Sequence, residues 1–272
     1  MKPFKGTIAL DIDGTLTTHP DRLEPPVHHF LEKLVDEGWQ LAFITGRTFS
    51  FAKQLFAHFQ VPYLLVVQNG AASYQMPEKR CLEKRMIPAS SLDLLQEEGV
   101  GLLVESGQEN GDTCYYLKDA FKGEELVYLE FRKSISPERF QPLASFSEFP
   151  HAFFAAGKFF AESEKAHKIA ERLQKEALFR VVVIRDPFRK GFFIAHINAH
   201  KASKGEIVKG LRRPLIVAGD DYNDSEMLKE ADVKIVMGNA PADMHALADI
   251  VAPPAAQNGI IKALEEATKR FL

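Results

Sequence analysis

Two hydrophobic periodicities alternate along the start of the chain. GTIAL at 6–10 is apolar over the length of a strand, as expected of a strand buried on both faces. Val27, Phe30, Leu31, Leu34 and Val35 then recur at helical spacing, with Pro25 and Pro26 before them and Gly38 after, a helix with start and stop signals. LAFI at 41–44 predicts a second strand, Ala52, Leu55, Phe56 and Phe59 stripe a second helix, and YLLVV at 63–67 predicts a third strand. The order β-α-β-α-β implies a parallel sheet with helices on its faces and right-handed crossovers. The grammar returns at the end of the chain with LIVA at 215–218, a helix near 223–231, KIVM at 234–237, a short helix near 241–247, DIVA at 249–252 and a last helix from about 258.

Between these stretches the pattern changes. From about 84 to 190 it predicts a helix near 90–98, strands near 101–105 and 113–117, a helix around 124–133 and a Pro- and Ser-containing loop at 134–150. A strand-like HAFFAAGKFF at 151–160, a helix at 162–176, FRVVVIR at 179–185 and GFFIAHI at 191–197 follow. The expected architecture is α/β: a Rossmann-like parallel-sheet core from 1–83 and 191–272, with an α+β module of 84–190 inserted and hinged near 80–86 and 188–192.

The 272 residues suit about two domains at roughly 150 residues each. With 46% hydrophobic and 26% charged residues the chain is an ordinary globular sequence, against disorder or a coiled coil. Thirty-four basic and 37 acidic residues leave a net charge of −3, so no overall field favours nucleic acid or an anionic membrane, and any phosphate site must be local. Cys81 and Cys114 form no Cys-x-x-Cys pair, which disfavours a disulfide scaffold or a thiolate zinc site and fits a reducing cytoplasm. No uncharged apolar run approaches the ~18 residues that would span a bilayer.

Four places could carry chemistry. Asp11 and Asp13 follow the first strand, where an open parallel sheet binds its ligands; two acids so close suggest a shared cation, although an Asp/Gly turn reads the same way. Their spacing also opens a calcium loop, but Leu16 and Arg22 stand where that loop needs Gly and an acid. In ITGRT at 44–48, Thr45 could offer its hydroxyl and nearby N–H groups to an oxyanion, with a helix dipole behind it, or could be a plain N-cap. Lys204 precedes a helix and is by itself only a charge. In VAGDDYNDSEML at 217–228, Asp220, Asp221 and Asp224 crowd a helix entrance, a set suited to an oxygen-ligated cation such as Mg²⁺, whereas helix capping accounts comfortably for one of them. His196 and His200 lie on a strand running into a loop, and His28 and His29 face apart, so a histidine metal site is not expected.

Taken in order, Asp11-Ile12-Asp13-Gly14-Thr15, Thr45-Gly46-Arg47, Lys204-Gly205 and Gly219-Asp220-Asp221-Tyr222-Asn223-Asp224 resemble the four motifs of the haloacid dehalogenase (HAD) superfamily. Asn69-Gly70-Ala71, Met237-Gly238-Asn239-Ala240 and Asn258-Gly259 resemble its Cof-type branch, whose α+β cap lies between the second and third motifs. The resemblance implies an Mg²⁺-dependent phosphatase acting on a small phosphorylated metabolite, a sugar phosphate or a phosphorylated cofactor. Asp11 would be the nucleophile and Asp13 the general acid and base. Asp11, Asp13 through its carbonyl and Asp220 would hold the metal; Ile12, Thr45, Gly46, Lys204 and Asn223 would meet the phosphoryl group; Asp224 would orient Lys204 or a metal-bound water, and Asp221 would be a solvated neighbour. The other expectations are a phosphotransferase or phosphomutase of the same fold, and a phosphate-ligand sensor without turnover.

Overall fold

The computed structural model describes residues 3–96, 100–186 and 189–271. The chain opens with β1 (Gly6–Leu10), α1 (Pro25–Asp36), β2 (Trp39–Ile44), α2 (Phe49–Leu55) and β3 (Tyr63–Val67). A hairpin of β4 (Ala72–Met76) and β5 (Arg80–Lys84) follows. Next come β6 (Ile87–Pro88), α3 (Leu92–Leu95), β7 (Leu102–Glu105), β8 (Cys114–Leu117), α4 (Gly123–Ile135) and β9 (Phe140–Leu143). Then β10 (Phe153–Phe154), β11 (Ala156–Ala161), α5 (Ser163–Leu173), β12 (Phe179–Arg185) and β13 (Phe193–Ala199). The last stretch holds α6 (Lys204–Val208), β14 (Leu215–Gly219), α7 (Ser225–Lys229), β15 (Val233–Met237), β16 (Ile250–Ala252) and α8 (Gly259–Lys269).

The first sheet runs β16-β15-β14-β1-β2-β3-β4-β5, parallel from β16 to β3 and antiparallel from β3 through the β4-β5 hairpin. The chain leaves β1 toward β2 and returns on its other side at β14, so the strand order reverses there, and a crevice opens at the carboxyl ends of those two strands. Successive residues of β1 face opposite sides of the sheet, and both sides are apolar. Ile8 and Leu10 pack with Phe43, Leu31 and Leu264, while Ala9 packs with Val217, Ile44 and Met227.

The second sheet runs β12-β13-β11-β7-β8-β9. One of its faces is buried under α3 and α5 through Leu95, Val104, Phe159, Ile169 and Ile197; the other carries Leu103, Phe160 and Ile194 against Tyr128 and Leu129 of α4.

Several elements differ from the sequence pattern. The boundary expected at 190/191 falls inside this second sheet, because GFFIAHI forms β13 and pairs on both edges, Phe193 with Ala161 on one side and Arg185 on the other. The chain therefore crosses between sheets at 85–86 and again at 200–203, where Arg85 Nη1 donates to the Lys201 carbonyl at 3.0 Å. Of the hinges expected near 80–86 and 188–192, the first is largely strand β5, and Pro187 and Phe188 lie outside the described residues. The loop at 134–150 contains β9, paired parallel to β8 despite Pro142 on what is a sheet edge. The helix at 90–98 covers only Leu92–Leu95, residues 97–99 being outside the described set.

Candidate active site

Leu10 pairs with Ala218, and the Asp11 N–H donates to the Ala218 carbonyl at 3.0 Å, so the residues that leave β1 and β14 emerge side by side. Asp11, Asp220 and Asp224 thereby bring carboxylate oxygens within 4.8 Å of one another. Lys204, first residue of α6 behind an N-cap at Ser203, reaches into this cluster and is itself only 1% exposed. Its Nζ donates to Asp11 Oδ1 at 2.5 Å and to Asp224 Oδ1 at 2.7 Å. Asp224 Oδ2 accepts the backbone N–H groups of Asp220 at 2.9 Å and Asp221 at 3.2 Å, which fixes the turn that presents Asp220. Gly14, at φ +81°, lies against that carboxylate: a Cβ there would stand 2.2 Å from Asp220 Oδ2, so only glycine fits.

Three carboxylates facing one ammonium leave negative charge in excess. Burial, with Asp224 and Asp13 nearby, pushes Asp11 up to about 7 even against the pull of Lys204. Asp220 is raised well above the ordinary carboxylate range by burial and by the Asp11 and Asp224 charges. Burial disfavours the Lys204 cation, yet the Asp11 and Asp224 carboxylates overcome it and hold the ammonium above the usual lysine range. A hard divalent cation is the group such an oxygen-lined, electronegative pocket suits.

Asp13 is half-buried and clamped: Arg47 Nε donates to Oδ2 at 2.8 Å and Nη2 to Oδ1 at 2.6 Å. The guanidinium lies 4.1 Å from the Phe51 ring centroid, is 4% exposed, and also donates to the Pro20 carbonyl. Arg47 stands inside the TGR string but carried no role in the sequence reading; only the fold, by setting the loop after β2 beside the loop after β1, pairs it with Asp13.

Thr45 is buried on the same loop and its hydroxyl accepts the Arg47 N–H at 3.1 Å. It caps no helix: Thr48 does, accepting the Phe51 N–H at 3.3 Å, and α2 starts only at Phe49, so the helix dipole expected behind Thr45 is three residues away and seven residues long. Gly46 and Asn223 line the cavity described below, and Asn223 Nδ2 donates to Asn69 Oδ1 at 3.4 Å. Ile12 buries its side chain in the core, leaving only its backbone N–H to face a ligand, since its carbonyl accepts from Thr15, Leu16 and Thr17.

Two further residues differ from the sequence reading. Asp221 is not a solvated acid; it is 9% exposed, accepts the Tyr222 N–H at 2.8 Å and takes the backbone N–H of Arg185 from β12 at 3.2 Å, joining the two sheets. Asn239, to which the sequence assigned no role, donates to Asp220 Oδ2 at 3.0 Å and to the Gly14 carbonyl at 2.9 Å, bracing the acidic cluster from the turn after β15.

A cavity of about 550 Å³ lies above the cluster, between the sheets. Its floor includes Asp11, Asp13, Gly46, Asp220 and Asn223, and its roof includes Lys158, Ile194 and His196. Lys158, 3% exposed on β11, donates to the Gly46 carbonyl at 3.1 Å and pairs with Glu105 Oε1 at 2.5 Å. No sequence spacing announces that pair, because its members are brought together by strand pairing alone. His196 is buried on β13, and the metal-capable group found among the described residues is Asp11, Asp220 and Asp224.

The haloacid dehalogenase-like hydrolase family matches residues 8–264. The pyridoxal phosphate phosphatase YbhA of Escherichia coli (strain K12) is 24% identical over 268 residues, spanning 90% of this chain and 92% of the relative. Among solved structures, a haloacid dehalogenase-like hydrolase from B. subtilis superposes with a TM-score of 0.77 at 22% identity, covering 98% of this chain and all 100% of the other. The HAD subclass IIB sugar phosphatase BT4131 does so with a TM-score of 0.73 at 21% identity over 96% of this chain and 98% of that one. With the fold and almost the whole length matched, the chain belongs to the haloacid dehalogenase-like hydrolases.

Proposed function

We propose that the protein is an Mg²⁺-dependent phosphatase that hydrolyses a small phosphorylated metabolite, a sugar phosphate or a phosphorylated cofactor, through an aspartyl-phosphate on Asp11. The observation that carries this reading is Lys204 bridging Asp11 and Asp224 beside Asp220, at the floor of a cavity large enough for a small metabolite. The names of the relatives, a pyridoxal phosphate phosphatase and a sugar phosphatase, support it.

The chemistry follows from the side chains. Lys204 engages Asp11 Oδ1, so Oδ2 is the oxygen free to attack phosphorus. As the Oδ2–P bond forms, the ester P–O bond breaks and the leaving alcohol oxygen takes a proton from Asp13. A water then attacks the same phosphorus, gives its proton to Asp13, and the Asp11–P bond breaks to release phosphate. Because Arg47 occupies both Asp13 oxygens, Asp13 must turn out of that clamp to reach the leaving oxygen. Thr45, the N–H groups of Ile12 and Gly46, Asn223 and Lys204 hold the phosphoryl oxygens, and Lys204 offsets the charge that gathers there. Asp224 keeps Lys204 in place through its 2.7 Å bond.

The acidic cluster fits a divalent cation: three oxygens converge within 4.8 Å, and burial together with the neighbouring carboxylates raises Asp11 and Asp220. Mg²⁺ would be held by Asp11, Asp220 and the Asp13 carbonyl, and supplies Lewis-acid polarisation of the phosphoryl oxygens. The second sheet with its helices, 87–199, acts as the cap that closes over the cavity and selects the leaving group, turning about 85–86 and 200–203. The free thiols of Cys81 and Cys114 support action in a reducing cytoplasm.

Phosphate release from a panel of sugar phosphates, nucleotides, flavin mononucleotide and pyridoxal phosphate, with Mg²⁺ and with EDTA, tests the reading. Release that EDTA abolishes and Mg²⁺ restores is expected; a panel without release removes it, and equal release in EDTA removes the metal.

A further inference from the structure

The roof of the cavity is one face of the second sheet, and on it Lys158 of β11 stands directly opposite His196 of β13. Alternation along the two strands puts Phe160 and Ile194 on the same face, where they pack with Leu103 and Tyr128. Apolar side chains suit this face elsewhere, so Lys158 and His196, the polar pair from these two strands that lines the cavity, need a cause. For Lys158 the cause is its bond to the Gly46 carbonyl and its pairing with Glu105.

His196 has no such partner. The residue is 3% exposed, and its Nδ1 is buried without a hydrogen bond. The ring nevertheless lines the cavity and abuts the loop that carries Thr45 and Gly46: a Cβ on Gly46 would stand 3.0 Å from His196 Cε1. Leaving a buried polar nitrogen unpaired costs about 1–3 kcal/mol, a cost that makes sense where a ligand brings the missing partner.

We propose that His196 is a specificity-determining residue that hydrogen-bonds a hydroxyl on the alcohol portion of the substrate, so that the enzyme favours phosphate monoesters of polyols and sugars. The proposal rests on the phosphatase reading and adds the reader of the leaving group. The groups assigned to the phosphoryl oxygens, Thr45, Gly46, Asn223 and Lys204, all come from the first sheet and the loops around it. A side chain hanging from the second sheet meets what lies beyond phosphorus. Burial, reinforced by the Lys158, Lys204 and Arg132 cations, holds the imidazole well below the ordinary histidine range and therefore neutral. A neutral imidazole has one N–H donor and one acceptor nitrogen; a hydroxyl complements either, whereas a carboxylate or a second phosphate, bringing acceptors only, meets the N–H alone.

Glycerol 3-phosphate and n-propyl phosphate differ only in the hydroxyls of the leaving alcohol, so the ratio of their kcat/KM values isolates this contact from binding of the phosphoryl group. The wild-type enzyme should favour glycerol 3-phosphate by about 10-fold or more, the scale at which losing a buried hydrogen bond discriminates substrates. His196→Phe, which fills the same space without nitrogen, should bring the ratio close to unity, and His196→Gln should restore part of it. Should the Phe variant not fold, His196→Ala carries the same test, with turnover of p-nitrophenyl phosphate reporting a folded site. A wild-type ratio near unity, a ratio that survives the Phe or Ala change, or a Gln variant no better than Phe overturns the proposal. So does turnover of p-nitrophenyl phosphate without turnover of glycerol 3-phosphate, a result that leaves the phosphatase reading standing. Absence of phosphate release from every ester removes that reading and this one with it.

Discussion

Two lysines are buried almost completely, and their surroundings differ in one respect. Lys158 faces a single carboxylate: Glu105 Oε1 is 2.5 Å away, Glu105 Oε2 takes the Gln68 amide at 2.8 Å, and the lysine spends a second proton on the Gly46 carbonyl. Lys204 faces Asp11 and Asp224, with Asp220 in the same cluster. The first arrangement balances charge for charge and satisfies nearly every polar atom, as a structural ion pair must if it is to survive burial. The second leaves two carboxylates uncompensated, which raises Asp11 and Asp220 by burial and mutual repulsion. A fold tolerates that imbalance where another positive group arrives during function. Charge surplus, more than burial, therefore separates the candidate chemistry from the architecture.

The comparison breaks first at Asp11. Asp11→Asn keeps the shape and the acceptor for Lys204 but removes the attacking oxyanion, and phosphate release measured with Mg²⁺ should fall by about 10⁴-fold or more. The folded protein should persist, because the change subtracts from a surplus of negative charge. A variant that retains a tenth of the wild-type rate would show that Asp11 is not the nucleophile.

The balanced pair should respond in the opposite sense. Lys158→Met strands Glu105 as a lone buried charge, and urea denaturation should show a loss of about 3–5 kcal/mol. Glu105→Leu in the same chain should return most of that loss, since an apolar pair of similar volume needs no compensation. If the double variant is no more stable than the single one, the pair is more than a self-contained buried ion pair.

What the sequence made legible follows the same division. β1 and β14 were readable because continuous apolar runs end abruptly in acids, at Asp11 and at Asp220, and a parallel sheet buried on both faces requires such runs. The hairpin strand β5, Arg80-Cys-Leu-Glu-Lys, was not readable: it is exposed along its whole length and shows no alternation. β9 hides behind Pro142 for a similar reason, an edge strand needing neither apolar continuity nor every N–H. In the site, residues on one short loop could be grouped from spacing alone, as Asp11 with Asp13 or Asp220 with Asp224. Contacts created by strand pairing or by the approach of one sheet to the other could not: Arg47 with Asp13, Lys158 with Glu105, Asp221 with the backbone of Arg185. The 190/191 boundary failed because GFFIAHI looks equally like a strand of either sheet, and only pairing with β11 and β12 decides.

A third buried acid lies between the two cases and gives the smallest effect. Asp112 is 2% exposed; its Oδ2 accepts the Ser50 N–H at 2.5 Å, joining the second sheet to the helix after the TGR loop, while its Oδ1 is buried with no partner. Burial pushes its carboxyl up to about 6 against the opposing pull of the Ser50 N–H. A carboxyl raised from its unfolded value of 3.8 holds its proton in the folded state over a window where the unfolded chain has lost it, so stability falls as pH rises from about 4 to about 6 and stays lowered above. The full shift corresponds to about 3 kcal/mol at 1.36 kcal/mol per pKa step. Asp112→Asn removes the titration and keeps an acceptor for Ser50, but buries an amide N–H₂ with no assured partner, which costs about 1–3 kcal/mol. The variant should therefore be about 1 kcal/mol more stable than wild type at pH 8 and about 2 kcal/mol less stable below pH 4, as followed by urea denaturation across the range. The difference between the two proteins cancels the opposing contribution of His196, a neutral buried base that costs stability as pH falls. A difference that stays flat from pH 4 to 8 would mean that Asp112 is ionised in the folded protein throughout, and that the Ser50 contact compensates its charge as fully as Lys158 compensates Glu105.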